Sequence, residues 1–240
     1  MAVQFLSCGD TALVIQFGEN VDAEINDHVM RLNAAVRVAA IDGIVETVPT
    51  FRSLMVHYDP LRTSGSTLQE TLVPLLDNPP DVAVSQNVWH LPVCYEGECS
   101  PDLEDVAERT GLTPECVIER HAGTPHRVYM IGFLPGHPYM GDLPHELELP
   151  RRVEPRTRVP AGSVAIATTM TVVYPNESPG GWHLIGRTPV PMFAMERARP
   201  VQFAPGDEVR FTPVDRALYD DIAARIEKDA FELVPGETPS

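Results

Sequence analysis

The chain has 240 residues, 43% of them hydrophobic, and its 34 acidic and 18 basic residues give a formal net charge of −16. This length accommodates one large or two ordinary domains, and the hydrophobic content is sufficient for a packed core, which excludes a globally disordered chain. The acidic balance excludes nonspecific binding to nucleic acids or anionic membranes, because such binding needs a basic surface.

The first part of the chain alternates β-rich runs with two helical stripes. After Asp22, a common N-cap residue, apolar side chains recur at helical spacing at Ile25, Val29 and Leu32. We predict a small α/β domain over residues 1–80, of order ββαββα, with both helices on one face of the sheet. Its strands are predicted at residues 3–7, 11–17, 44–50 and 53–59, and its helices at residues 22–39 and 66–76.

A domain boundary is predicted at residues 77–86, where two consecutive prolines interrupt both helical and strand patterns. The second domain, residues 86–240, contains short β-rich runs broken by glycine and proline, which is typical of a β-barrel or sandwich. The elements around these runs are a strand at residues 88–95, two helices that begin after capping hydroxyls at Ser100 and Thr113, and a last helix at residues 215–230.

The sequence lacks the features that several kinds of site require. Its only lysine, Lys228, lies far from any glycine-rich turn, so we expect no P-loop, Schiff-base or biotin-attachment lysine. Its four cysteines do not complete a zinc-binding set and are expected to be free thiols. The apolar runs are too short to span a bilayer and the first residues do not resemble a signal peptide, so we expect a soluble, cytoplasmic protein.

Three patterns imitate well-known motifs but lack a feature that each motif requires. Residues 102–123 resemble a helix-turn-helix, yet six acidic residues against two arginines exclude contact with DNA, and we interpret them as a structural helical hairpin. His137 and His145 share a loop, but no histidine pair has the spacing of a helical metal site, which favours structural roles. Ser178 and His183 lack the Gly-x-Ser-x-Gly elbow of a serine hydrolase.

The arginines of a glycine- and proline-rich β region indicate ligand binding. Arg156 and Arg158 alternate, so an extended strand would place both side chains on one face. There the guanidinium groups could bind a carboxylate or a phosphate in bidentate fashion. Pairing with the nearby Glu146, Glu148 and Glu154 explains the same arginines equally well, and both interpretations stay open at this point.

Two further segments carry unusual backbone chemistry. Ser178–Gly181 reads Ser-Pro-Gly-Gly and predicts a tight turn whose N–H groups could hold an anion beside Trp182. The alternative is a plain β-turn next to a core tryptophan. The loop Gly132–Pro144, GFLPGHPYMGDLP, contains three prolines and three glycines and is stiffer than a turn requires. We expect this loop, the arginine strand and the Ser-Pro-Gly-Gly segment to converge on one cleft.

Three long motifs, RVYMIGFLPGHPYMGDLP, PRTRVPAGSVAIA and YPNESPGGWHLIGRTP, together resemble a single family. Along nearly its whole length the chain is similar to the family that includes the B-type subunit of 5-oxoprolinase, the KipI-type kinase inhibitors and allophanate hydrolase subunit 1. The resemblance implies an α+β fold in which a small α/β domain precedes a cyclophilin-like β-barrel domain. It also implies a larger, barrel-containing partner of the allophanate hydrolase subunit 2 type and a third subunit of the LamB/YcsF type.

The same resemblance implies which residues form the site. The family's loop usually reads Pro-Gly-Phe-Pro-Tyr-Leu-Gly-Gly-Leu; here His137, Met140 and Asp142 replace the Phe, the Leu and the second Gly, and His183 stands where Gln is common. Neither histidine is therefore expected to act as a general base, and no metal is expected. The residues that match are expected to be catalytic (Arg156, Arg158 and Ser178) or substrate-binding (Tyr129, Phe133, Tyr139, Ser163, Gly180, Gly181, Trp182 and Arg187).

The activity implied by the resemblance is ATP-dependent opening of 5-oxoproline to glutamate. Phosphorylating the lactam oxygen would help to open this resonance-stabilised ring, and such chemistry needs electrostatic stabilisation rather than a protein nucleophile. ATP would be held jointly with the partner subunit, since no Walker motif is present, and the chain alone would be inactive. The alternatives are a carboxyltransferase subunit of the allophanate hydrolase/urea carboxylase type, with its biotin carried elsewhere, and a KipI-like inhibitor of a histidine kinase without turnover.

Overall fold

The computed structural model describes residues 3–77 and 87–238. The chain divides into two compact units, residues 1–85 and residues 86–240. The predicted boundary at residues 77–86 lies, apart from Asp77, outside the described residues. Among the described residues no helix is both long enough and apolar enough to cross a membrane.

The first unit is a four-stranded antiparallel sheet with two helices. The sheet has the strand order β1-β2-β4-β3. The predicted element order ββαββα is confirmed. The elements are β1 (Gln4–Cys8), β2 (Ala12–Gln16), α1 (Ala23–Ala39), β3 (Ile44–Pro49), β4 (Ser53–Tyr58) and α2 (Gly65–Asp77).

Capping and hydrophobic periodicity account for this unit. The side chain of Asp22 accepts hydrogen bonds from the backbone N–H groups of Glu24 (2.8 Å) and Ile25 (3.2 Å) and so starts α1, as predicted. In β4, Leu54 and Val56 are fully buried and alternate with partly buried residues, which is the pattern of a strand with one core face. Both helices contact the sheet and each other, so they lie on the same face of the sheet.

The second unit is built around a closed seven-stranded β-barrel of order β10-β7-β6-β13-β5-β12-β9, with a separate two-stranded sheet, β11-β8. The predicted mixed α and β fold with a barrel is confirmed. Its strands are β5 (Val88–Cys94), β6 (His126–Ile131), β7 (Pro138–Met140), β8 (Arg156–Val159), β9 (Ser163–Ala167), β10 (Met170–Val173), β11 (Ser178–Gly180), β12 (His183–Arg187) and β13 (Glu208–Val214). Its helices are α3 (Leu103–Thr110), α4 (Pro114–Gly123) and α5 (Arg216–Glu227), with short 3₁₀ turns at Gly97–Cys99 and His145–Leu147.

One of the two predicted helix caps before proline is correct and the other is wrong. Thr113 caps α4 by accepting a hydrogen bond from the backbone N–H of Cys116. Ser100 does not cap α3, which begins at Leu103, because the Ser100 hydroxyl donates to the backbone carbonyl of Tyr95 instead. The N-cap position of α3 is occupied by an aspartate whose side chain caps nothing and is free for other contacts.

A buried polar network lies inside the second unit. His121 places its Nδ1 2.9 Å from the hydroxyl of Tyr95 and its Nε2 2.9 Å from the hydroxyl of Thr171. Both ring nitrogens of His126 face backbone carbonyl oxygens, that of Gly141 at 3.1 Å and that of His121 at 2.9 Å. Both imidazoles are fully buried, so they hold α4, β6 and β10 together through hydrogen bonds rather than acting at a surface.

Candidate functional site

Aromatic residues from three parts of the barrel meet around Tyr174. Tyr139 lies in β7, and its ring lies edge-to-face with that of Trp182 at a centroid distance of 6.1 Å. His137 stacks on Tyr139 at 5.0 Å and lies 5.2 Å from the ring of Tyr174. The predicted site residues Tyr139 and Trp182 are therefore in one cluster, called the aromatic cluster below: His137, Tyr139, Tyr174 and Trp182.

The loop that carries His137 is rigid because its backbone is closed on itself. The N–H of Gly132 donates to the carbonyl of His137 (2.8 Å), and the N–H of His137 donates to the carbonyl of Leu134 (3.0 Å). Gly136 adopts φ +76°, and a Cβ there would lie 2.6 Å from the carbonyl oxygen of Met192, so glycine is required. The stiffness inferred from the sequence thus has a structural cause.

Phe133 lies in this same loop but does not join the aromatic cluster. Its side chain is 101% exposed relative to the reference state, so it is fully solvent-accessible in the isolated chain. The expected role of Phe133 in substrate binding therefore stays a prediction.

Tyr174 is held in place by the backbone of Gly180. A Cβ at Gly180 would clash with the Tyr174 hydroxyl and ring, so the phenol packs directly on the glycine backbone. Burial, and secondarily the neighbouring Tyr139, raises the pKa of Tyr174 to about 12, while Arg151 and Arg156 lower it. Tyr174 is therefore a neutral hydrogen-bonding group near pH 7.

Substitution of Gly180 by alanine should destabilise the second unit by about 1–3 kcal/mol, because the added methyl group forces the Tyr174 ring to move. Gly181→Ala is the matched control, since the nearest atoms to a Cβ there are 3.6 Å away, an ordinary contact. Urea unfolding followed by tryptophan fluorescence measures both variants. Equal losses of stability in the two variants would show that Tyr174 does not depend on the Gly180 backbone.

The buried carboxylate of Asp102 forms ion pairs with two arginines near the aromatic cluster. Asp102 is 3% exposed, and its Oδ1 and Oδ2 accept from Nη2 (2.6 Å) and Nη1 (2.8 Å) of Arg156. Nη1 of Arg152 donates to Oδ1 at 3.1 Å, and the backbone N–H of Leu184 donates to Oδ2 at 2.7 Å. The Asp102 carboxylate thus joins the start of α3 to β8, β12 and the segment before β8.

Of the two interpretations left open for these arginines, the structure shows ion pairing for both, although with other carboxylates than Glu146, Glu148 and Glu154. Arg156 is bound to Asp102, which is 54 residues away in sequence. Arg158 forms a bidentate pair with Glu177 at 2.9 and 3.0 Å, and both side chains are exposed. The two arginines therefore make separate ion pairs and do not act on one ligand in the isolated chain.

Arg151 is the cation that these ion pairs leave free. Its guanidinium carbon lies 5.5 Å from the ring centroid of Trp182, over the indole face, which is a favourable cation–π geometry. Within residues 3–77 and 87–238, no carboxylate forms an ion pair with it. Arg152 and Arg156 share the single buried carboxylate of Asp102 and Arg151 adds a third guanidinium, so this surface carries excess positive charge in a strongly acidic chain.

The Ser178–Gly181 segment is not the tight turn that the sequence predicts. Residues Ser178–Gly180 form β11, which pairs antiparallel with β8 and has a register shift between Ser178 and Gly180. Pro179, which cannot donate to a ladder, is exposed, as is tolerated in an edge strand. The Ser178 hydroxyl is buried and has no hydrogen-bond partner among the described residues.

The remaining predicted site residues are not members of the aromatic cluster, although the backbone carbonyl of Ser163 accepts a hydrogen bond from the N–H of Tyr174 (2.9 Å). Ser163 and Arg187 are register partners in β9 and β12, and β12 separates Arg187 from Trp182 by about 16 Å at the usual strand rise. Tyr129 is buried and donates its hydroxyl hydrogen bond to Asp142 at 3.2 Å. The structure therefore brings Tyr139, Gly180 and Trp182 together, joins the backbone of Ser163 to that of Tyr174, and leaves Arg187 at the far end of β12.

The histidines and cysteines have the structural environments that the sequence favours. His145 is exposed while His137 is buried, and Nε2 of His183 lies 2.9 Å from the carbonyl oxygen of Pro150. The four cysteines are free thiols. In the part of the chain that the structure describes, no group of three or more metal-ligating side chains is assembled.

Sequence reasoning missed three residues of this surface: Asp102, Arg151 and Tyr174. Asp102 is separated by at least 50 residues from the arginines it binds, so no local pattern reveals it. Tyr174 belongs to the third family-like motif, but only its contact with Gly180 shows its role. Arg151 belongs to the same arginine-rich region, but only the ion pairs of the structure show that the carboxylates of Asp102 and Glu177 bind other arginines.

The family is decided by a match to the model of the carboxyltransferase domain, subdomain C and D, over residues 3–203. The chain belongs to this family. The resemblance of the three sequence motifs to the family that includes the B-type subunit of 5-oxoprolinase is thereby confirmed.

Individual members of this family give a consistent picture. The B-type subunit of 5-oxoprolinase from Bacillus subtilis (strain 168) is 36% identical over 230 residues, which cover 90% of this chain and 95% of the relative. The crystal structure of TTHA0988 has a TM-score of 0.77 at 38% identity, covering 86% of this chain and 40% of that chain. The crystal structure of the K. lactis urea amidolyase has a TM-score of 0.77 at 20% identity, covering 98% of this chain and 16% of that one, and shows the fold alone.

Proposed function

We propose that this chain is a subunit of an ATP-dependent 5-oxoprolinase and shares its active cleft with a larger, barrel-containing subunit. The similarity to the B-type subunit of Bacillus subtilis 5-oxoprolinase, which extends over 95% of that relative, supports this function. At the site, the main observation in favour of this function is the Arg151 guanidinium, which forms no ion pair and lies on the Trp182 ring beside Tyr174. That surface combines excess positive charge with the indole ring of Trp182, which is 6% exposed and lies beneath Arg151.

The substrate of such an enzyme, 5-oxoproline, is a five-membered lactam that bears a carboxylate. Arg151 would bind the carboxylate through charge-assisted hydrogen bonds, and the ring would pack on Tyr139 and Trp182. Opening the lactam is helped by phosphorylating its carbonyl oxygen, and the transferring phosphoryl group needs surrounding positive charge. Arg152 and Arg156, which share one carboxylate, contribute to that field.

The ATP site is not supplied by this chain alone. Its one lysine, Lys228, is the residue after α5, and no Walker motif is present, so the larger subunit of the allophanate hydrolase subunit 2 type would hold most of the nucleotide. The longer TTHA0988 chain, of which this chain covers 40%, supports the idea that such a domain works next to additional sequence. A third subunit of the LamB/YcsF type would complete the complex, and the need for ATP agrees with a cytoplasmic location.

Arg151→Ala should weaken 5-oxoproline binding to the complex by roughly ten- to a hundredfold, because a charge-assisted contact to the carboxylate is lost. Isothermal titration of the co-purified complex measures this directly. Arg210→Ala is the control, since Arg210 is an exposed residue paired with Glu208 and belongs to β13, outside the aromatic cluster. Unchanged binding in Arg151→Ala would remove Arg151 from the site.

Carboxyl transfer is the second candidate, favoured by the carboxyltransferase-domain family match. It would require biotin on another chain or domain, because the only lysine here lies at the end of α5. Adding urea and a biotinylated carrier, together with a biotin carboxylase, bicarbonate and ATP to carboxylate that carrier, distinguishes the two functions. Carboxylation of urea without any 5-oxoproline-dependent ATP hydrolysis would favour carboxyl transfer over the oxoprolinase.

A further inference from the structure

A cavity of about 460 Å³ lies in the second unit, between the segment that joins β12 to β13 and the chain that follows α5. This volume falls in the range of about 300–1,000 Å³ that is usual for small-molecule sites. Among the described residues that line the cavity, none belongs to the aromatic cluster and none is Arg151. The cavity is therefore separate from the surface proposed above for 5-oxoproline.

Backbone hydrogen bonds fix both walls of this cavity. On one side the N–H of Gln202 donates to the carbonyl of Met192 at 2.9 Å, and on the other the N–H of Gly236 donates to the carbonyl of Val88 at 2.7 Å. The apolar side chains of the lining include Trp89, Val201, Leu233 and Val234. A ligand therefore meets an apolar surface that is already formed, and these segments need not become ordered when it binds.

The guanidinium group of Arg197, which lines the cavity, is oriented by the chain and still has unused donors. Its Nη1 donates to the carbonyl of Pro191 at 3.0 Å and to Oε1 of Gln202 at 2.8 Å, which uses both hydrogens of that nitrogen. Within residues 3–77 and 87–238, Nε and Nη2 have no acceptor and no carboxylate pairs with Arg197. These two nitrogens form the edge of the guanidinium that matches the two oxygens of a carboxylate.

The other charged side chains of the lining favour a ligand with a single negative charge. Arg199 is exposed and forms no ion pair with any described residue, so it adds a second cation. Glu232 lines the same cavity and likewise has no ion pair in the part of the chain that the structure describes. Two cations and one anion attract a monoanion, whereas Glu232 would repel a second negative charge on the ligand.

We propose that this cavity binds a small monocarboxylate with an apolar body. The carboxylate accepts hydrogen bonds from Nε and Nη2 of Arg197, and Arg199 adds to the attraction for its charge. The apolar body packs against Trp89 and Leu233 and displaces water from their surface. This site does not depend on the proposed 5-oxoprolinase function and belongs to this chain alone, so its test needs neither ATP nor a partner subunit.

Isothermal titration of the full-length chain with 3-phenylpropionate tests this site. The comparison ligand is 3-phenylpropionamide, which keeps the phenyl body but carries no charge. Arg197→Met should weaken the binding of 3-phenylpropionate about tenfold, because a charge-assisted contact is lost, and should leave the weaker binding of the amide unchanged. Arg120→Met is the matched control, since Arg120 is exposed, paired with Glu146 and outside the cavity lining.

The other two charged residues of the lining provide variants that leave the fold intact, because both are exposed and unpaired within the described residues. Arg199→Met should weaken the binding of 3-phenylpropionate severalfold. Phenylsuccinate, which carries a second carboxylate, should bind less tightly than 3-phenylpropionate, and Glu232→Gln should reduce this difference. An unchanged difference in Glu232→Gln would contradict the preference for a single charge.

The indole N–H resonances of the wild-type chain locate the ligand without any substitution. Trp89 lines the cavity, whereas Trp182, the other tryptophan, belongs to the aromatic cluster. In ¹H–¹⁵N spectra, 3-phenylpropionate should shift the Trp89 indole resonance and leave that of Trp182 unchanged. A shift at Trp182 alone, equal affinity for the acid and the amide, or no detectable binding by the wild-type chain would overturn the proposal. None of these results would affect the oxoprolinase function, which is measured in the complex.

Discussion

Replacing Asp102 by asparagine should lower the free energy of unfolding of the second unit by about 3–5 kcal/mol, the usual effect of removing one partner of a buried ion pair. The carboxylate accepts from two guanidinium groups and from the backbone N–H of Leu184, all within 3.1 Å. An amide cannot neutralise Arg152 and Arg156, and its NH₂ group would face their donors. Both tryptophans, Trp89 and Trp182, lie in this unit, so fluorescence during urea unfolding reports on it alone.

Glu177→Gln provides the matched control for this experiment. Glu177 binds Arg158 with the same bidentate geometry as Asp102 binds Arg156, but both partners are exposed. Water screens such a pair, so the substitution should change the stability little. If Asp102→Asn lowered the free energy of unfolding as little as Glu177→Gln does, the buried carboxylate would not be what holds α3, β8 and β12 together.

Acidification from pH 7 to pH 5 should strongly destabilise the second unit, because three of its histidines are buried in neutral form. Burial lowers the pKa values of His121, His126 and His137, in the first case well below the ordinary value and in the last to about 4. Below about pH 6.5 the unfolded chain binds protons that the native state does not, so the free energy of unfolding falls with the pH. Each histidine can lower the free energy of unfolding by at most about 1.4 kcal/mol per pH unit, and the three together by at most about 4 kcal/mol per pH unit.

Urea unfolding at a series of pH values measures this slope. The loss should begin near pH 6.5, the ordinary histidine pKa, and for His137 it ends near its native value of about 4. His137→Phe removes one titrating group and should reduce the slope by about a third. A free energy of unfolding that stays constant between pH 7 and pH 5 would mean that the imidazoles bind protons equally in the native and unfolded states, which would contradict their lowered pKa values.

The fold could be predicted from the sequence wherever local patterns determine it. The Asp22 cap, the helical stripe that follows it and the alternation of β4 depend on neighbours within a few residues, and all three are confirmed. The cap at Ser100 failed because a carbonyl outside the helix, that of Tyr95, competes for the hydroxyl. Barrel closure and the pairing of β5 with β13, over 100 residues apart, depend on tertiary contacts that no local pattern encodes.

For the same reason, the candidate site could be predicted only in part from the sequence. The motifs pointed to Tyr139, Gly180 and Trp182, which the structure does bring together around Tyr174. They could not reveal which arginine is free, because Asp102, a distant residue, occupies two of them. The departure from the family pattern at His137 was visible in the sequence, but only the structure shows that this ring is buried and stacks on Tyr139.

The proposal that this chain forms one wall of a shared 5-oxoprolinase cleft is tested most directly by ATP hydrolysis in the complex co-purified with its larger partner. We predict that 5-oxoproline stimulates ATP hydrolysis with matching formation of glutamate, and that the isolated chain has no such activity. Equal activity in the isolated chain would contradict the shared cleft. A complete complex that neither hydrolyses ATP in response to 5-oxoproline nor forms glutamate would contradict the function itself.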